Sequence, residues 1–161
     1  MNSKCKLCRV INVVLLLVVL GLGYFVLKPS NVEVSADGRT LVLLTPGERD
    51  MVLGEMRGML ETVQAIVEGA SGGELMATSL VATEAGIKGA VEANAALIGR
   101  VPVEFMALGM DTHRAFDALA ETAQGTDDPL LVLSELSEIM NRCTACHASY
   151  RLGIEGAEKP E

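Results

Sequence analysis

Eighteen residues from Val10 to Leu27, VINVVLLLVVLGLGYFVL, carry a single polar side chain, Asn12. A run of that length and character does not suit a soluble surface. As an α-helix it spans roughly 27 Å, close to the hydrocarbon thickness of a bilayer. A helix also satisfies its own backbone polar groups there. Lys4, Lys6 and Arg9 precede the run. The positive-inside rule therefore leaves residues 1–9 in the cytoplasm and sends the rest across. Tyr24 and Phe25 fall near the far end, where an interfacial aromatic belt lies. The run is longer than the apolar core of a signal peptide, and no small-x-small pair follows it directly. Val34-Ser35-Ala36 is a poor cleavage site. The reading is an uncleaved transmembrane anchor over 10–27, with a cleaved signal as the alternative. Either way the remainder enters an exported compartment that tolerates oxidised cysteines. The expected location is a bacterial periplasm, tethered to the inner membrane.

Charge divides the chain at the same place. Residues 1–28 hold four Lys or Arg and no acid, whereas residues 29–161 hold 9 Lys or Arg against 21 Asp or Glu, a balance of −12. That balance excludes nucleic acid as a partner, since a basic face supplies most of the affinity there. Residues 28–44 (KPSNVEVSADGRTLVLL) read as a linker with a small hairpin at Asp37-Gly38. From Thr45 the pattern turns helical. Thr45-Pro46-Gly47-Glu48 has the form of a capping box with Pro at the first helical position.

Four amphipathic helices are expected, over 46–69, 74–99, 102–123 and 127–152. In the second, Met76, Leu80, Ile87, Val91 and Ile98 share a side, while Gly86 and Gly89 each weaken the middle by about 1 kcal/mol relative to Ala. Pro102, Gly125 and the Thr126-Asp127-Asp128-Pro129 start separate the later helices. Short connections between such helices suggest an all-α, antiparallel four-helix bundle over 45–153, with a tail at 154–161.

Near the end of the last helix stands Cys143-Thr144-Ala145-Cys146-His147, a C-x-x-C-H string, the attachment motif for c-type haem. Two thioethers at this spacing reach the two vinyl positions of one porphyrin edge, and the next residue brings an imidazole to the iron. Rival chemistries fit less well. A thioredoxin-like pair needs a βαβ context, and a zinc site needs two more ligands. Val132, Leu136, Ile139, Cys143, Cys146 and Tyr150 follow one helical stripe, so the cysteines continue the core-facing side. Met140, one step aside, can pack on the porphyrin or on Leu136. There is no Gly-rich phosphate loop and no G-x-S-x-G, and the carboxylates are scattered over helix surfaces.

CTACHASYR near the C-terminus of a four-helix pattern resembles the cytochrome c-prime type, the class II c-type cytochromes. The resemblance covers roughly residues 46–153 and is carried by Cys143, Cys146, His147 and Arg151, with a weaker match at Arg49. It implies a left-handed bundle, one covalent haem c, His147 as proximal ligand, and Arg151 near the haem edge or proximal face. Arg151 reads equally well as a solvated charge favourable in a last helical turn. One branch of the family uses a Met from the first helix and is low-spin. The other leaves iron five-coordinate and binds small gases.

In the first helix, the tracks 53-56-60-63-67 and 52-56-59-63-66 share Met56 and Val63. Met56 is near the start of that helix and His147 near the end of the last, neighbouring ends in an antiparallel bundle. Met56 is therefore the expected distal ligand, with Met59 as substitute. Leu53 would cap the iron in the gas-binding register. Met is also ordinary core filling. His113 reads as a surface histidine, because Asp111, Arg114 and Asp117 surround it in sequence; a propionate contact, or a role as another ligand, is the alternative. Phe105 and Phe116 line the core or pocket. Cys5 and Cys8 read as reduced thiols beside the anchor or as part of a removed signal region, with a metal site shared with a second chain as a further alternative.

The expected function is a non-enzymatic, membrane-anchored monohaem electron carrier with His147/Met56 ligation. It would shuttle electrons between redox partner proteins in the exported compartment. A gas-binding haem protein is the alternative. Members of the resembling family often pair, so a homodimer stands beside a tethered monomer.

Overall fold

The computed structural model describes residues 3–27 and 31–157, with side chains placed for all of these except 3–7, 25–27 and 91–94. It is mainly helical. The first helix, α1 (Ser3–Leu27), stands with its large apolar side chains from Val10 to Tyr24 exposed on every face. Among the described residues no helix is long and apolar enough to cross a membrane. The placed side chains of α1 end at Tyr24, so Phe25 to Leu27 of the expected span lie outside them.

The segment expected as a linker is more than that. Strands β1 (Val32–Val34) and β2 (Thr40–Leu44) pair antiparallel, with Val32 opposite Val42 and Val34 opposite Thr40. Their turn contains Asp37 and Gly38, and Gly38 adopts φ +83°, a conformation that favours glycine. Val42 and Leu44 are fully buried. A third strand, β3 (Tyr150–Ile154), lies parallel to β2, with Leu41 opposite Arg151 and Leu43 opposite Gly153. The last helix therefore stops at Ser149 rather than running to 152. Gly153 fits because a Cβ there would lie 2.9 Å from the Leu41 Cδ1 carbon.

The remaining elements are α2 (Pro46–Ser71), α3 (Leu75–Glu84), α4 (Ile87–Leu97), α5 (Val103–Gly125) and α6 (Pro129–Ser149). The capping box that starts α2 has both halves, Glu48 N–H donating to Thr45 Oγ1 and Thr45 N–H to the Glu48 carboxylate. Asp128 caps α6, accepting from Leu130 N–H at 2.9 Å.

The second expected helix is broken, and the break corrects the reading of 74–99 as one element. The ends meet at Ala85-Gly86, where Asp117 of α5 accepts from Ile87 N–H at 3.0 Å. A Cβ at position 86 would collide with the Asp117 carboxylate, so the close approach requires glycine.

The expected apolar stripe of this region is also misplaced. Met76, Leu80 and Ile98 are exposed, while Leu75, Thr78, Ser79 and Ala82 are buried; Val91 lies outside the described side chains. The reason is a tight contact between α3 and α5. Ser79 donates to Ala120 O at 2.8 Å, a distance only small side chains permit.

Packing joins α3 to both α2 and α5, α5 to α6, and α6 back to α2. One core gathers Ile66, Phe116, Leu119, Leu136 and Ile139. A second core joins sheet to helices through Val42, Leu44, Val52, Leu97 and Phe105, with Met56, Cys146 and Tyr150 packed against it. In α2 the inward track is Val52, Met56, Met59, Val63 and Ile66, whereas Leu60 and Val67 of the other track are exposed.

Candidate cofactor site

On α6 the stripe Val132, Leu136, Ile139 is buried, and its continuation, Cys143 and Cys146, is half-buried. Both cysteines are free thiols. They line a cavity of about 480 Å³ bounded mainly by α2, α5 and α6. That volume falls within the range of small-molecule and cofactor pockets, about 300–1,000 Å³. Apolar side chains dominate its walls: Val52, Leu53, Met56, Met59 and Val63 from α2, and Phe105, Met106 and Phe116 from α5. Burial raises the pKa of the Cys143 and Cys146 thiols, so both are protonated at neutral pH.

A smaller cavity of about 160 Å³ adjoins it through Leu53, Met56, Phe105, Cys146 and His147, and adds Arg39, Arg49, Tyr150 and Arg151. The structure thus brings the sequence-nominated Met56, Cys143, Cys146 and His147 together around the larger cavity, with Arg151 at the smaller one. Leu53 and Met59, the alternatives to Met56, line the larger cavity as well. Phe105 and Tyr150 close the sheet end in an edge-to-face contact, centroids 5.3 Å apart at 77°.

Arg39, in the turn between β1 and β2, escaped sequence reasoning. It donates to the carbonyl of His147 at 3.0 Å and is paired with Asp37. Arg151 also approaches Asp37, at 3.6 Å. Arg39 and, after it, the Ser35 hydroxyl hold the Asp37 carboxyl well below the usual carboxylate range. Nothing local in sequence marks Arg39. Its place depends on the parallel pairing of β2 with β3.

His113 corrects the expectation of a surface histidine: it is 4% exposed. Its Nδ1 lies 2.6 Å from Ala85 O and its Nε2 3.1 Å from Glu55 Oε1. Both ring nitrogens are engaged, which argues against His113 as a metal ligand in this arrangement. Burial works against the charged imidazole, but Glu55, the Ala85 carbonyl and Asp117 outweigh it and raise the pKa. Asp111 and Arg114 do lie on the exposed side of α5, paired with each other at 2.6 Å. The neighbours in sequence described that side and not the one His113 occupies.

The donor set has a definite chemical character. Two thiols one turn apart, an imidazole on the following residue and a thioether on a facing helix surround one apolar space. A flat apolar group with two reactive carbons on one edge and a metal at its centre fits that set. Among the described residues no group of three or more His, Cys, Asp or Glu is placed to hold a metal ion by itself. Cys8 is an exposed thiol, and Cys5 lies outside the described side chains. Comparison of the chain with protein-family models, with curated proteins and with solved structures finds no match in any of the three.

Proposed function

We propose that the chain is a monohaem c-type cytochrome that carries one electron at a time, resembling the Met-ligated branch of the cytochrome c-prime type. The observation that carries this reading is the meeting of Cys143, Cys146, His147 and Met56 around one apolar cavity. Cys143 and Cys146 would hold haem c by two thioethers, and His147 and Met56 would be its axial ligands. When bound, that group supplies a one-electron redox centre whose potential a Met ligand raises.

The chain's own residues do the rest. Phe105, Phe116 and Val52 would pack against the group as a buried apolar wall. Arg39, bonded to the His147 carbonyl, fixes the end of the helix that carries the imidazole. Arg49 and Arg151, which border the smaller cavity together with His147, would place positive charge near the edge or proximal face of such a group. His113 and Glu55 satisfy each other and leave the ligand positions to His147 and Met56.

The same reading takes α2, the broken pair α3–α4, α5 and α6 as the four members of an antiparallel bundle. It takes residues 10–27 as a transmembrane anchor that tethers the bundle in a bacterial periplasm. The exposure of large apolar side chains all round α1 supports the anchor, since such a helix has no soluble face. The partners are redox proteins of that compartment.

An absorption spectrum of the purified full chain tests the function. The expected result is covalent haem that is low-spin when reduced and indifferent to carbon monoxide. A high-spin protein that binds carbon monoxide at once would replace the carrier with a gas-binding protein capped by Leu53, which also lines the cavity. Chain without haem after co-expression with a haem-attachment system would overturn both.

A further inference from the structure

Between residues 31 and 157, the arginines that lie away from the two cavities are ion-paired. Arg100 binds Glu48 and Glu155, and Arg114 binds Asp111. Arg57 and Arg142 behave differently. Both are exposed, both border the larger cavity, and among the described residues neither forms an ion pair. Glu61 and Glu138, one turn along the same helices, do not reach them. Beside these arginines the seam of α2 and α6 presents two large exposed apolar side chains that also border the cavity, Leu60 at 69% and Met140 at 47% exposure. In a segment whose charge balance is −12, two arginines without an ion pair beside exposed apolar side chains mark a contact surface.

We propose that this seam is the docking surface for a redox protein that presents carboxylates beside an apolar patch, an inference that rests on the haem reading above. The anion is a partner's carboxylate and not the cofactor's own. Arg142 adjoins Cys143, which would take a vinyl group, and a haem's propionates leave the ring on the side away from its vinyls. A second copy of this chain fits poorly. A two-fold contact through one patch sets the patch against itself and opposes like charges. A carboxylate-bearing partner instead neutralises Arg57 and Arg142 and covers Leu60 and Met140 beside the electron's exit.

The test uses the full chain in phosphatidylcholine nanodiscs and two anionic probes. In the first arm the reduced protein gives one electron to hexacyanoferrate(III), which becomes hexacyanoferrate(II). The rate is expected to fall about tenfold from low to high salt, because local attraction outweighs the net negative charge. The double variant Arg57→Glu/Arg142→Glu should lose about tenfold at low salt, and Lys88→Glu should not.

The second arm needs no electron transfer. Paramagnetic hexacyanochromate(III) should broaden the NMR signals of Leu60 and Met140 in wild type and spare them in the double variant. A rate that rises with salt, or broadening centred on Arg49 and Arg151, would overturn the proposal. So would a dimer that Leu60→Ser dissociates, or a seam covered only when phosphatidylglycerol is added. Loss of covalent haem with the broadening intact would sink the haem reading and leave the anion-binding surface standing.

Discussion

His113 and Asp117, one turn apart on α5, hold opposite ends of the break between α3 and α4. His113 meets the Ala85 carbonyl that ends α3, and Asp117 takes the Ile87 N–H that begins α4. Broken helix ends expose backbone groups that need partners. Here one helix face supplies both a nitrogen and a carboxylate, and Gly86 leaves room for the carboxylate to arrive. The break is therefore built into three residues.

His113→Ala should destabilise the fold by about 2–4 kcal/mol, since it leaves the part-buried Ala85 carbonyl and Glu55 short of a partner and opens a gap. Denaturant unfolding reads the loss. Gly86→Ala should cost a similar amount by pushing Asp117 from Ile87. Wild-type stability for either variant would mean that the break does not depend on the clamp.

The same histidine sets a pH dependence. Its folded pKa is raised, with Glu55 and the Ala85 carbonyl overcoming the cost of burial. The stabilisation is therefore complete below the unfolded value, about 6.5, and fades as pH rises through the higher folded value. Unfolding free energy should decline as pH rises above about 6.5 in wild type. That part of the decline should vanish in His113→Gln.

On the acid side Glu48 acts with the opposite sign. Arg100 and the Thr45 backbone lower its pKa to about 2 from 4.5. Its contribution is present above about 4.5 and is lost as pH falls toward 2. Glu48→Ala removes half of the capping box and one partner of Arg100. The expected cost at pH 7 is about 1–2 kcal/mol, with a flatter acid limb in the unfolding profile.

How far the sequence could be read follows from which signals are local. The capping box, the Asp128 cap and the α6 stripe each depend on residues within a turn or two, and the structure has them. Cys143 and Cys146 continue that stripe, and with His147 they border the cavity. The sheet was only half legible. A hairpin signal exists at Asp37-Gly38, but β3 pairs with a strand more than a hundred residues away, and five residues that end a helical pattern give no sign of it. The side taken by α3 was misread for another reason. Hydrophobic size marks a buried face only where the facing helix leaves room, and Ser79 against Ala120 does not. His113 was hidden because its sequence neighbours lie on the exposed side of α5 while the imidazole turns toward Ala85.

The proposed covalent attachment can be tested without a spectrum. Cys143→Ala/Cys146→Ala should lose all haem that survives denaturation, read as a mass decrease of one haem in the unfolded chain. Each single variant should retain one thioether and a shifted absorption. Haem still attached to the denatured double variant would place the attachment elsewhere in the chain.

Met56 and Met59 lie one turn apart on the inward track of α2 and both line the cavity, so their variants separate ligation from packing. Met56 also borders the smaller cavity with His147, a position Met59 lacks. Met56→Ala should leave the fold intact at a cost of about 2–5 kcal/mol, less if water fills the space. It should turn the iron high-spin or water-ligated, lower the potential, and admit carbon monoxide, because a thioether favours the reduced state. Met59→Ala should show a comparable stability loss and an unchanged spectrum. A spectrum lost with Met59 and kept with Met56 would move the ligand one turn along α2. Indifference to both, in a wild type already high-spin, would transfer the distal position to Leu53 and the function to gas binding.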